Sequence, residues 1–238
     1  MRSSPRGHIV VRMVRLGDLQ AQVAVSYARL RMPSWPNPHP GMTSPREEEY
    51  SRLTEPERYG IVHTRARVWA SRLGDLSGIE VDTLAPAPLD DEGRLGRFDR
   101  GVRLTSRRPG TLPLLLLERD VRWPGLAASL AVLHISVVRP EVAVEMLPDC
   151  GCDACDSGSD DLLDAVDQTI GNVVGGPFVV LRGKNWHASW HPDGGSSGRT
   201  GPGPDHAELM EFCRRLVVGQ DVRLPAGAEA FVGRAWLD

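Results

Sequence analysis

Residues 149–161 read Asp-Cys-Gly-Cys-Asp-Ala-Cys-Asp-Ser-Gly-Ser-Asp-Asp and hold three of the chain's four cysteines. Cys150, Cys152 and Cys155 stand as Cys-x-Cys-x-x-Cys. Asp149, Asp153, Asp156, Asp160 and Asp161 surround them, and no Lys, Arg or His lies inside the stretch. Thiolates at Cys-x-x-Cys spacing are soft metal ligands, and Zn–S bonds of about 2.3 Å bring tetrahedral sulfurs within about 4 Å of one another. The Cys152/Cys155 pair also has the spacing of a redox dithiol, whose thiolate a following helix N-terminus stabilises. A third possibility is a tight loop of small residues that binds nothing. The carboxylates favour the metal. Their field keeps free thiols protonated, whereas a dication deprotonates them. The reading is therefore zinc held by Cys150, Cys152 and Cys155, pinning a loop, with Gly151 letting the backbone bring Cys150 round. The alternative is a thiol redox protein or oxidation sensor using Cys152 and Cys155.

Three ligands leave a fourth to be found. Cys213 lies on a helical stripe with Leu209, Leu216 and Val217, which reads as a buried core cysteine. His134 sits on a strand, and a hairpin centred near Pro140 puts Cys150 across from about Leu130, roughly 13 Å away along the strand. Asp149, Asp153 or Asp156 could coordinate locally. A water in the fourth place would make the site catalytic in form.

Other constellations carry less. His187 and His191 form His-x-x-x-His, which serves one metal on a helix. Here Trp186, Ala188 and Trp190 alternate with His187, Ser189 and His191, as in a half-buried strand. Gly194-Gly-Ser-Ser-Gly198 and Gly201-Pro-Gly-Pro204 precede a helix but lack the lysine and spacing of phosphate-binding loops. They read as a mobile surface loop over 193–204. No Gly-x-Ser-x-Gly elbow occurs, and no catalytic residues are assigned. Trp35, Trp69, Trp123, Trp186, Trp190 and Trp236 suit core and rim packing.

The elements that must position the cysteines follow from periodicity and punctuation. Leu19, Val23, Tyr27 and Leu30 predict a helix over 19–30. Four prolines within 33–40 forbid its continuation and give an extended arm that packs Trp35 on the body. Thr54 and Pro56 open a second helix, lined by Tyr59, Val62, Ala66, Trp69 and Leu73 and closed at Gly74. Strands are expected at 79–84, 102–106, 112–117, 130–138 and 141–147. A third helix starts near Ser157 or Ser159, with Leu162, Leu163, Val166, Ile170 and Val173 inward. Strands at 178–181 and 185–191, a helix over 205–218 and an edge strand within 230–237 complete the chain. Without β-α-β alternation, this is an α+β fold: an antiparallel sheet covered by three or four helices. Residues 1–16 read as a flexible tail and 17–238 as a single domain.

The chain has 238 residues and a net charge of −3. That length supports a core without disulfides, and the charge gives no reason to expect nucleic acid. Lys184 is the sole lysine, as in a high-GC genome. No apolar run reaches the roughly 18 residues that span a bilayer, and no signal peptide follows the N-terminal arginines. A cytoplasmic protein is expected, with no membrane association and a protein partner as the conceivable one. In a reducing cytosol clustered cysteines serve metals or redox chemistry.

The segment Leu147-Pro-Asp-Cys-Gly-Cys-Asp-Ala-Cys-Asp-Ser-Gly-Ser159, with Leu162, Leu163 and Asp167, resembles a family of unknown function from high-GC, actinobacterial-type bacteria, family number 6226. Trp35-Pro-Asn-Pro-His-Pro40 resembles it too, as does Glu49-Tyr-Ser-Arg-Leu-Thr-Glu-Pro-Glu-Arg-Tyr59 leading to Arg65-Ala-Arg-Val-Trp69. The resemblance implies no assigned activity, so the residues must supply the mechanism.

Overall fold

The first helix, α1 (Leu16–Ala28), buries Leu19 and Val23. It starts before the expected position and ends at Ala28, leaving Leu30 half exposed. This is the computed structural model of the chain, and it describes residues 14–90, 93–122, 125 and 127–237. Most of the expected tail, together with Trp123, lies outside them. Leu16 packs against Gly171 and Gly175 of a later helix, where a Cβ at Gly175 would come within 2.8 Å of Leu16 Cδ2.

A 3-10 turn, Pro56–Gly60, runs directly into α2 (Ile61–Gly74). Tyr59, Val62, Ala66, Trp69 and Leu73 are all buried, as their spacing predicts. Pro56 opens the turn, but Thr54 does not cap it; its donors go elsewhere, as described below.

Five strands then form an antiparallel meander: β1 (Ile79–Leu84), β2 (Arg100–Ser106), β3 (Leu114–Arg122), β4 (Ser129–Val137) and β5 (Ala143–Leu147). β5 pairs with β4 as Leu133↔Leu147, His134↔Met146 and Ile135↔Glu145, so the hairpin is centred on Pro140 as expected. Helix α3 (Ser159–Gly175) follows the cysteine loop. Its cap position is Gly158, and Ser159 belongs to the helix rather than preceding it.

The remaining strands, β6 (Phe178–Arg182), β7 (Trp186–His191), β8 (Gly194–Arg199) and β9 (Glu229–Gly233), form a second sheet in the order β8-β7-β6-β9. Helix α4 (His206–Val217) is capped by Asp205, whose side chain accepts from the Glu208 N–H. The fold is α+β, with its antiparallel strands divided between two sheets. Strand β8 corrects one expectation. Residues 194–199 are not a mobile loop but pair with β7 from His191↔Gly194 to Trp186↔Arg199. Main-chain hydrogen bonds need no apolar side chain, and glycine suits a strand where another group lies close. A Cβ at Gly195 would come within 2.4 Å of Met210 Sδ.

Helices α1, α2 and α3 share one core with the first sheet, and Phe178, Val180 and Trp236 extend it to the second. Helix α4 packs Leu209, Met210 and Cys213 on Val179, Leu181, Trp186 and Ala188. One polar network crosses the main core. Arg65, buried on α2, donates to Asp167 of α3, whose Oδ1 also accepts from Trp69 Nε1 at 2.7 Å. The Arg65 guanidinium lies 4.9 Å from the ring centre of Tyr27 on α1. Among the described residues no helix is long and apolar enough to cross a membrane.

Candidate metal centre

The chain leaves β5 at Leu147 and turns over the start of β4 before entering α3. Gly151 rests on Leu130, where an added Cβ would come within 2.4 Å of Leu130 Cδ2. Absence of a side chain therefore lets the cysteine loop lie against the sheet. This is the placement that the Pro140-centred register predicts, with His134 further along β4 opposite Met146.

The loop turns back on itself in a short 3-10 segment, Asp153–Cys155, where the Cys155 N–H donates to the Cys152 carbonyl at 3.0 Å. The turn gathers the thiols. The three sulfurs of Cys150, Cys152 and Cys155 lie within 4.8 Å of one another, and those of Cys150 and Cys152 are 3.3 Å apart. Cys152 is buried, Cys150 intermediate and Cys155 exposed. This donor set can hold a thiophilic cation such as zinc. No fourth His, Cys, Asp or Glu among the described residues joins the group.

The thiols are not equivalent. Burial works to raise Cys152. Hydrogen bonds from the Cys150 and Cys155 thiols and from the N–H groups of Cys155 and Ala154 outweigh it and hold Cys152 below the ordinary thiol value. Cys155 is pushed up to about 12, first by its hydrogen bond with Cys152, then by burial and by Cys150.

The aspartates correct the electrostatic expectation. They do not crowd the sulfurs without compensation; two of them are anchors turned toward basic partners. Asp153 accepts from Arg52 Nε at 2.6 Å, from the Thr54 N–H at 2.7 Å and from Thr54 Oγ1 at 2.7 Å. Its own N–H donates to the Arg52 carbonyl at 2.8 Å. Burial raises the Asp153 carboxyl, but the Arg52 and Thr54 donors prevail and hold it low. Asp156 accepts from Arg58, from Trp35 Nε1 at 3.0 Å and from the Gly158 N–H at 2.9 Å. Asp149 accepts from the Cys150 N–H at 2.7 Å.

The proline arm closes over this side of the loop. The Ser159 N–H donates to the Trp35 carbonyl at 3.1 Å, and His39 Nε2 lies 3.2 Å from the Asp153 carbonyl. Arg58 lies 4.7 Å over the Trp35 ring, and Tyr59 meets that ring edge-on at 5.6 Å. Between arm and loop is a cleft of about 600 Å³, in which Arg46, Arg52 and Arg58 face Glu49, Asp153 and Asp156. A smaller cavity, about 120 Å³, is lined by Cys150 and Cys155 and shares Asp156 with the cleft.

The other sequence candidates fall elsewhere. Cys213 is a core residue of α4, as its stripe predicts. His187 is exposed on β7 between buried Trp186 and Ala188, but the expected alternation stops there: Ser189, Trp190 and His191 are all intermediate. Arg52, Thr54 and Arg58 partner the loop without any signal in the sequence, and Asp153 and Asp156, candidate ligands by type, serve as anchors instead. Only pairing across about a hundred positions reveals the clamp, and periodicity carries no signal of it.

Comparison with curated proteins and with solved structures finds no match. A family model described as "Family of unknown function (DUF6226)" matches residues 22–238. The three cysteines, the arm and the clamp all lie inside that span, and the chain belongs to the family of unknown function DUF6226.

Proposed function

We propose that this protein binds zinc through Cys150, Cys152 and Cys155, and that it acts as an accessory or interaction module rather than an enzyme. The observation that carries the reading is the gathering of three sulfurs within 4.8 Å of one another. The loop then has two fastenings. Arg52, Thr54, Arg58 and Trp35 hold its carboxylate side, and the metal holds its thiol side between β5 and α3. A reducing compartment such as the cytoplasm suits thiols kept for a metal.

The redox alternative, a Cys152/Cys155 dithiol, is less well served by the geometry. An exchanging dithiol needs an accessible thiolate. Here the thiol held low, Cys152, is buried, and the exposed one, Cys155, is pushed up to about 12.

Zinc titration of the reduced, metal-free chain tests the proposal. One zinc per chain should bind and shield three thiols from a thiol reagent until a chelator removes it. Metal-free protein that cycles through a Cys152–Cys155 disulfide, with no affinity for zinc, would replace this reading with the redox one.

A further inference from the structure

The cleft of about 600 Å³ between the proline arm and the cysteine loop holds hydrogen-bond donors that the fold does not use. Its carboxylates, by contrast, are taken. Asp153 accepts the Thr54 N–H on one oxygen, and Arg52 and the Thr54 hydroxyl on the other. Both oxygens of Asp156 accept from Trp35, and Arg58 and the Gly158 N–H complete them. Glu49 accepts the Arg46 N–H on one oxygen and the Arg46 guanidinium on the other. A cation entering the cleft meets no oxygen of these three carboxylates without a donor already on it.

The donors are not matched in the same way. A guanidinium carries five N–H groups. Arg52 gives Nε to Asp153, its Nη2 lies 3.7 Å from Glu49, and neither Nη makes a hydrogen bond among the described residues. Its side chain is 48% exposed, so these N–H groups are open to a ligand. Arg46 gives Nε and Nη2 to Glu49 and keeps Nη1. Formal charges in the cleft balance, and Glu48 lies 3.7 Å from Arg46. Recognition therefore rests on directed N–H donors rather than on a net field, and the paired Nη groups of a guanidinium match two oxygens of an oxyanion. The volume exceeds what such a head group fills and falls in the range of sites for small organic molecules. Trp35, Pro36 and Pro38 give it an apolar wall.

We propose that this cleft binds a small organic oxyanion, a phosphate or a carboxylate, with its oxygens on the Arg52 Nη groups and its apolar body along Trp35, Pro36 and Pro38. Binding needs no metal, because Arg52, Thr54 and Arg58 hold the cleft side of the loop whether or not the thiols are occupied.

The test uses the full chain, reduced and stripped of metal on a chelating resin, so that its outcome is separate from zinc uptake. Calorimetric titration with phenyl phosphate and with benzoate should show saturable binding of at least one, at one per chain, and the tighter of the two identifies the head group. Inorganic phosphate should bind about tenfold more weakly than phenyl phosphate, since it lacks the apolar body. Benzylamine, a cation with the same body, should not bind. R52K keeps a cation opposite Asp153 but replaces the fork by a single ammonium. It should melt as the unmodified chain does and lose about tenfold or more in affinity for the anion. No saturable binding of either organic anion overturns the proposal. So does an R52K chain that binds as the unmodified one does, or benzylamine bound as tightly as the anions.

Discussion

Both carboxylate oxygens of Asp156 lie 3.0 Å from the indole Nε1 of Trp35, a residue 121 positions earlier. The contact joins the proline arm to the cysteine loop. Trp35 is held in turn by the Arg58 guanidinium and the edge of Tyr59. One carboxylate thus fixes an indole, a guanidinium and the turn into α3. The loop's acidic character reads as metal chemistry in the sequence and serves as mechanical anchorage in the fold.

Removing Arg58 exposes that role. R58A deprives the buried Asp156 of its cation while Trp35 and the Gly158 N–H remain. The expected loss is about 1.5–3 kcal/mol, the range for hydrogen bonds to charged groups. Urea unfolding should show a lower midpoint at unchanged slope. Zinc affinity should fall by about 10–100-fold, as it does when groups behind metal ligands are removed. An R58A chain with wild-type affinity would show that the clamp does not support the thiols.

Gly158 lies directly against the backbone of the proline arm. Its φ is +93°, and an added Cβ would lie 2.7 Å from the Asn37 nitrogen and 3.0 Å from the Pro36 carbonyl carbon. Backbone cannot yield as a side-chain tip can. G158A should therefore cost about 2–4 kcal/mol, combining backbone strain with overpacking. The arm should also lift, which protease cleavage within 32–41 would detect. Wild-type melting and protection would contradict the packing described.

The three cysteines should not tolerate substitution equally. Cys152 is buried and accepts main-chain N–H groups, whereas Cys155 is exposed. C152S and C155S should each weaken zinc by more than the roughly 10–100-fold that a lost supporting group costs. Only C152S should also lower the stability of the metal-free chain, because only it disturbs a buried sulfur. Denaturation with and without chelator separates the two effects. Equal destabilisation by both would contradict the burial order.

His134 gives the fold an acid sensitivity. It is buried, its Nε2 has no partner, and burial, then Arg119 on β3 and His63 on α2, hold it down to about 4. His63 is lowered too, chiefly by burial. An imidazole depressed in the fold takes its proton first in the unfolded chain. Its contribution is therefore complete above the unfolded value of about 6.5 and is lost as the pH falls toward 4, at up to about 1.4 kcal/mol per pH unit for each proton. H134Q should flatten the stability profile in that window, measured by urea unfolding near pH 7 and near pH 5. An unchanged slope would show that His134 titrates normally.

How much of this was legible depends on the range of the interaction. Tyr59, Val62, Ala66, Trp69 and Leu73 showed a helix because burial repeats locally, and Pro140 fixed the β4–β5 register. That register brought Gly151 to Leu130. The cysteine trio is local too, so its spacing foretold the gathered sulfurs. The clamp is not local. Arg52 and Arg58 look like ordinary solvated arginines until the loop arrives. The segments that carried the family resemblance nonetheless meet in space: Trp35 and Arg58 on Asp156, Arg65 and Trp69 on Asp167. Strand β8 is not legible because Gly-Gly-Ser-Ser-Gly has loop composition, while its pairing rests on main-chain groups that composition does not record.

X-ray absorption at the zinc edge, on protein loaded with one equivalent of zinc, reports the donors around the metal. A first shell dominated by sulfur at about 2.3 Å is expected, with at least three scatterers, and loss of that shell in C152S. A shell of nitrogen and oxygen alone, or a folded chain that takes up no zinc with its three thiols reduced, would contradict it.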